Sequence, residues 1–351
     1  MTERRLAQLR ELVGTEASFL TSDPIHVRYL TGLSSSNAII LCTPETTVLF
    51  TDSRYALAAK QLNVDVQVSL GNDLFALVAS TVATDKLIIE ANRLSVTSLN
   101  RLQALLPNVS FETNHRLVEQ IRVVKDETEI ATIEAACNIA TESLSAIIEQ
   151  VQIGMTEQTI ARLLHQTLLA KGADDIAFDT IVASGPNSAI PHHKPTQREI
   201  AQSDFLKIDF GAKLDGYHSD CTRTFVIGRS QSWHKEVFEA VLTAQRCGRE
   251  ALGPQVLTDS VTRSVQDSLT HANYAEFFTH GLGHGVGLEI HEDPFLTNND
   301  AGRLKQGTVV TVEPGVYLEG RGGVRIEDTV VITQSGHRNL TNFSYDLIEI
   351  G

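Results

Sequence analysis

The chain has 351 residues, 42% hydrophobic and 21% charged, a length that suits two domains each able to bury its own core. Its formal net charge is −14 with no block of Lys or Arg, which argues against nucleic acid or an anionic membrane as partner. No apolar run approaches the roughly 18–20 residues needed to span a bilayer, and the N-terminal MTERRLAQLRELVG lacks the apolar core of a signal peptide. Four cysteines (Cys42, Cys137, Cys221 and Cys247) are scattered without metal spacing, so reduced thiols and a cytoplasmic protein are expected.

Residues 1–120 read as a small α/β unit. A helix over 3–13 precedes apolar strands at 17–20, 38–42 and 47–50. Thr51-Asp52-Ser53 is expected to cap a helix from Arg54 to about Leu62. Further strands are predicted at 64–69 and 86–90, with helices at 73–83 and 95–106. The alternation implies a partly parallel sheet covered by helices. No chemical constellation stands out here: Asp52 and Arg54 read as cap and surface ion pair, and His26 and His115 as lone structural or exposed histidines.

The pattern changes between 118 and 124. Asp126 with Glu129 forms a capping box, and Ile130, Ile133, Cys137, Ala140, Leu144, Ile147 and Val151 then recur on one long helical face. A helix over 156–171, a strand over 179–183 and a loop ending in Pro191-His192-His193 follow. Next comes KIDFGAKLDGYHSDCTRT, read as a β-hairpin turning at Leu214-Asp215-Gly216. Asp209 and Asp220 face each other if the turn centres on Leu214-Asp215, and lie diagonally if it centres on Asp215-Gly216. Either register puts both carboxylates on one face, and Cys221 on the other. The layout then repeats weakly, with helices over 233–252 and 258–271 and a second hairpin over 308–331. Glu313 and Glu327 are equidistant from Gly320, so an odd-numbered loop sets them opposite each other, with Arg325 on the face of Glu327.

Between these elements runs HGLGHGVGLEIHEDP. His280 and His284 have i, i+4 spacing, but the glycines between and after them argue for extended, closely approached backbone rather than helix. Burying paired carboxylates needs a proton or a cation. Four carboxylates and one histidine would balance two divalent ions. Such ligation suits Mn²⁺, with Zn²⁺ or Co²⁺ as alternatives. Two ions about 3.5–4 Å apart can acidify a shared water and polarise a carbonyl.

These motifs, together with TVEPGVY, GGVRIED and DFGAKLDGYHSDCTRTF, resemble the pita-bread metallopeptidases, most closely the Xaa-Pro dipeptidase and aminopeptidase P branch. YLTGLSSSNA and LFTDSRYALAA resemble the creatinase-type N-terminal domain. The resemblance implies an α+β chain: residues 121–351 a pita-bread catalytic domain with pseudo-symmetric halves, residues 1–120 a smaller α/β domain. It implies that Asp209, Asp220, His284, Glu313 and Glu327 hold two metals, with Asp220 and Glu327 bridging. It makes Glu313 also the general base. His192, His280 and His291 would line the substrate site and stabilise or protonate the tetrahedral intermediate. Arg325 would orient Glu327 or touch substrate, and His193 and His218 would be peripheral. The implied reaction is hydrolysis of the bond before proline in short peptides with proline second, by a homodimer. Aminopeptidase P acting on longer peptides is the alternative. A methionine aminopeptidase, which generally lacks such an N-terminal domain, and a non-catalytic peptide-binding protein, which typically loses ligands, fit less well.

Overall fold

The computed structural model describes residues 2–114, 116–298 and 302–351; His115 lies outside them. The chain divides into two units, Met1–Ile121 and Arg122–Gly351.

The first unit runs α1 (Thr2–Val13), β1 (Ser18–Thr21), α2 (Pro24–Thr31), β2 (Ala38–Cys42), β3 (Thr47–Thr51), α3 (Ala56–Lys60), β4 (Gln67–Leu70), α4 (Leu74–Thr81), β5 (Lys86–Glu90), α5 (Val96–Leu105), β6 (Ser110–Asn114) and α6 (Leu117–Arg122). Its six strands form one mixed sheet in the order β4-β3-β2-β1-β5-β6. The β3–β4 and β5–β6 pairs, each joined through a helix, are parallel, and so is the β1–β5 pair at the centre of the sheet. Leu41, Phe50, Leu87 and Ile89 from the sheet pack with Leu74, Val78 and Leu102 from α4 and α5.

Two local expectations need correction. Helix α2 is an element the periodicity did not reveal. Its ends are nonetheless written in the chain: Asp23 accepts from the amides of Ile25 and His26, Pro24 lies in the first turn, and Gly32 closes the helix at φ 85°. Conversely, Asp52 caps nothing. Its carboxylate binds the amide and guanidinium of Arg54 and the amide nitrogen of Asn37, so α3 starts later, at Ala56, with no side-chain cap.

The second unit opens on α7 (Glu127–Ile148), where Asp126 and Glu129 make the reciprocal capping box, worth about 1 kcal/mol. It continues through α8 (Glu157–Ala170), β7 (Asp175–Ile176), β8 (Ile181–Ser184), a 3₁₀ turn (Gly185–Ala189), β9 (Phe205–Phe210), β10 (Ala212–Leu214), β11 (Tyr217–His218) and β12 (Cys221–Ile227). Then come α9 (Ser232–Glu250), α10 (Thr258–His271), β13 (Gly283–Gly285), β14 (Glu292–Leu296), β15 (Val309–Val312), β16 (Gly315–Leu318), β17 (Gly322–Arg325), β18 (Asp328–Thr333), β19 (Gly336–Asn339) and β20 (Glu349–Ile350). Helices α7 and α8 bury Ala140, Leu144, Ile160 and Leu164 against Leu206, Ile208 and Phe225 of the sheet β20-β12-β9-β8. Helices α9 and α10 bury Val237, Val241, Val261 and Val265 against Val310, Val312 and Val330 of the sheet β14-β13-β15-β18-β19. The same helix-pair-on-sheet layout thus occurs twice.

Each half also carries a long two-stranded ribbon. In the first, Lys213 pairs with His218 and Leu214 with Tyr217, so the turn is Asp215-Gly216, and both residues have positive φ (44° and 73°). Asp209 then pairs with Thr222, which leaves Asp220 diagonal to it. In the second, Val312 pairs with Asp328 and Gly315 with Arg325, so Glu313 sits opposite Glu327 at the kink between the two ladder segments. The ribbons are stitched together. Thr329 donates to the Asp220 carbonyl over 2.8 Å, the Glu327 amide to the Thr222 carbonyl over 3.1 Å, and buried Arg223 pairs with buried Asp328 at 2.7 Å.

Candidate metal centre

Strand alternation brings Asp209 and Asp220 to one face of the first ribbon, and Glu313 and Glu327 to one face of the second. The segment holding His284 is a strand, β13, not a helix. A Cβ on Gly283 would lie 2.1 Å from the Thr311 carbonyl oxygen, so β13 approaches β15 too closely for a larger residue there. This approach carries His284 to the carboxylates: its Nε2 lies 3.4 Å from Glu313 Oε1 and 3.6 Å from Asp220 Oδ2. Donor atoms of Asp220, His284 and Glu327 all lie within 4.8 Å of one another. All five residues line one cavity of about 560 Å³, together with His192, His280 and His291. The expected constellation is therefore brought together in space.

The donor set fits divalent cations on the chemistry of the residues themselves. Burial raises the pKa of Asp220 and of Glu327 well above the ordinary carboxylate range, and the neighbouring carboxylates add to it. Burial likewise pushes Glu313 up to about 8, with Asp209 contributing. Oδ1 of Asp209 is buried without a hydrogen-bond partner among the described residues. The Arg325 guanidinium beside Asp209 is one positive charge against four carboxylates, so such a nest needs more. His284 does not supply it. Burial and the adjacent His291 hold its pKa at about 4, and Nδ1–H donates to the Gly285 carbonyl over 3.1 Å, which leaves the Nε2 lone pair facing the acids.

Arg325 reaches Glu327 only through another side chain. It is 2% exposed, and its guanidinium grips Asp209 rather than Glu327. The link to Glu327 is indirect. Thr222 Oγ1 accepts from Arg325 Nε over 3.1 Å and donates to Glu327 Oε2 over 2.7 Å. Arg325 Nη1 also donates to the hydroxyl of Tyr317 over 2.8 Å and to the Pro191 carbonyl over 3.2 Å. With its oxygen accepting from Arg325, Tyr317 donates to His280 Nε2 over 2.8 Å, and His280 Nδ1–H donates to the Gly281 carbonyl over 2.7 Å. Burial, with Arg325 nearby, lowers the His280 pKa to about 4. The ring of His291 meets that of His284 edge-on at 4.3 Å between centroids.

His193 and His218, read as peripheral, are both buried. His193 bonds Glu157 at 2.8 Å, and His218 Nδ1 bonds the Gly287 carbonyl at 3.0 Å. Glu157 is the hub of the loop before His192: burial pushes its pKa up, but bonds from Asn187, His193 and Thr196 outweigh this and hold it at about 2. Thr222, Tyr317 and Lys207 were not singled out in the sequence, although alternation places Thr222 on the face of Asp220, Lys207 on that of Asp209 and Tyr317 on that of Glu313. A cluster also arises in the first unit, where no constellation was expected. Buried His26 places Nδ1 2.7 Å from Glu90 Oε1 and Nε2 3.8 Å from Glu119 Oε1, so the ring itself links the two carboxylates.

Comparison with known proteins finds relatives over the whole chain. Residues 131–334 match the model of metallopeptidase family M24, and residues 5–124 match the creatinase/prolidase N-terminal domain. A Xaa-Pro dipeptidase of Pyrococcus horikoshii is 33% identical over 98% of both chains. A Xaa-Pro dipeptidase structure from Bacillus anthracis superposes with a TM-score of 0.96 at 31% identity over all of both chains. An X-Pro aminopeptidase structure from Thermotoga maritima superposes with a TM-score of 0.91 at 35% identity, over 98% of this chain and 100% of that one.

Proposed function

The chain belongs to metallopeptidase family M24, and from that premise we propose that it is a Xaa-Pro dipeptidase, hydrolysing the peptide bond before proline. The observation that carries this reading is the convergence of Asp209, Asp220, His284, Glu313 and Glu327 on one cavity. These five residues would hold two divalent ions. Bound there, the ions supply Lewis acidity toward the scissile carbonyl and lower the pKa of water.

The chain's own residues do the rest. Glu313, whose side chain is 16% exposed against 1% for the whole of Glu327, is the carboxylate open to the cavity and takes the proton of the attacking water. His192 and His291, both solvent-accessible on the cavity wall, orient the substrate carbonyl and return a proton to the proline nitrogen. His280 lines the same cavity, but Tyr317 and the Gly281 carbonyl take both of its ring nitrogens, so it shapes the wall while His192 and His291 meet the substrate. Arg325 acts from behind the wall by fixing Asp209. Phe178, Ile181, Ile290 and Phe295 give the cavity apolar surface for the proline ring and the preceding side chain. A tertiary amide offers no N–H, and a site that works on the carbonyl does not require one.

Mn²⁺ is the proposed ion, on the strength of carboxylate-rich ligation with one imidazole. A homodimer is proposed from the family resemblance. A cytoplasmic location is proposed from four cysteines that are all free thiols; no helix among the described residues is long and apolar enough to cross a membrane.

Rates on a Xaa-Pro dipeptide and a Xaa-Pro-Xaa tripeptide, measured after chelation and after Mn²⁺ is restored, test the proposal. Faster cleavage of the dipeptide and full dependence on added metal are expected. Preference for the tripeptide would assign the aminopeptidase activity instead.

A further inference from the structure

The segment that delivers His192 to the cavity, residues 188–191, turns three backbone carbonyls toward a single point. That point is the head group of Lys207, whose Nζ donates to the carbonyls of Ser188 (3.1 Å), Ile190 (2.7 Å) and Pro191 (3.3 Å). Lys207 has no exposed surface. It lies on β9 two residues before Asp209, so both side chains leave the same face of the strand. Its Nζ also stands 4.9 Å from the centre of the Tyr317 ring, and the Pro191 carbonyl is shared with Arg325.

An apolar residue would fill this position of a buried strand at less cost, since the desolvation of a lysine head group taken out of water must be offset by its partners. Here it has three acceptors for its three possible N–H donors, and all three lie in the four residues immediately before His192. Neighbouring bonds brace the same loop from its other sides: Ser188 Oγ accepts the Gly323 amide at 2.8 Å, and Glu157 binds Asn187 and His193.

We propose that Lys207 is a positioning residue that sets His192 in the substrate cavity by holding the carbonyls of Ser188, Ile190 and Pro191. The inference rests on the reading of His192 as a substrate-site residue. If Lys207 merely filled space, its removal would lower stability without reference to His192.

The test is a double-mutant cycle on the full-length, metal-loaded protein: wild type, K207M, H192A and K207M/H192A, assayed on a Xaa-Pro dipeptide with metal content measured for each. K207M is expected to keep its metal and lose about tenfold or more in kcat/KM, chiefly through kcat. In the H192A background the same substitution is expected to cost less than about twofold, because the residue it positions is gone. Equal losses in both backgrounds, no loss in either, or loss of metal from K207M would overturn the proposal. H192A at the wild-type rate would overturn the reading of His192 itself, and this inference with it. Should K207M not fold, K207Q, which keeps two N–H donors on a shorter stem, enters the same cycle.

Discussion

The hydroxyl of Thr222 stands between a carboxyl group and a guanidinium: it donates to Glu327 and accepts from Arg325, tying a ligand of the proposed centre to a side chain that also holds Asp209 of the other ribbon. Bonds of this kind behind a ligand fix its orientation and typically contribute 10–100-fold in metal affinity. Thr222→Val, which keeps the shape and removes the hydroxyl, is expected to weaken metal binding by about tenfold or more, read by titrating metal into the chelated protein. Unchanged affinity would mean that Glu327 is oriented by other contacts.

Asp220 is a proposed ligand whose donor atoms lie beside those of His284 and Glu327, so Asp220→Ala is expected to lower bound metal and kcat together. Elemental analysis and turnover on the same preparation check it; full metal content with normal turnover would remove Asp220 from the ligand set.

His291 lies against His284 without belonging to the five. His291→Ala is expected to keep its metal and lose about 10²–10⁴-fold in kcat, the usual range for a group that moves a proton. Loss of metal in this variant would instead place His291 among the ligands.

The metal-free protein should show a reversed pH dependence of stability. Burial holds Glu313 at about 8 in the fold against 4.5 unfolded, and raises Asp220 and Glu327 as well. Folded carboxylates therefore keep protons that the unfolded chain has released, and stability falls as pH rises toward 8. The histidines act oppositely. His280 and His284, lowered to about 4 from 6.5, favour the fold as pH rises, but only up to about 6.5. Between pH 6.5 and 8 the carboxylates act without them. The chelated protein is expected to have a lower Tm at pH 8 than at pH 6.5, and added Mn²⁺ to raise Tm more at pH 8. A Tm independent of pH in this window would contradict it.

Much of this was legible in the chain because local chemistry and periodicity decide it. Asp126 and Glu129 announce α7 through a short-range exchange of bonds. Asp215-Gly216 sets the register of one ribbon, and the symmetric spacing of Glu313 and Glu327 about Gly320 sets that of the other. What stayed hidden depends on partners distant in sequence. Arg325 shares a strand face with Glu327, yet its guanidinium reaches across to Asp209, 116 residues away. His193 is drawn inward by Glu157, 36 residues earlier. Asp52 could have capped a helix, but Arg54 and Asn37 take its carboxylate first.

Arg325 also has a mechanical consequence. One guanidinium clasps Asp209, a proposed cation ligand, and braces the Pro191 carbonyl beside His192. A shift of Asp209 on loading or stripping the ions would pull, through Arg325, on a wall that never touches them. An enzyme emptied of metal is therefore expected to bind a proline-containing inhibitor more weakly, even where that inhibitor meets only protein.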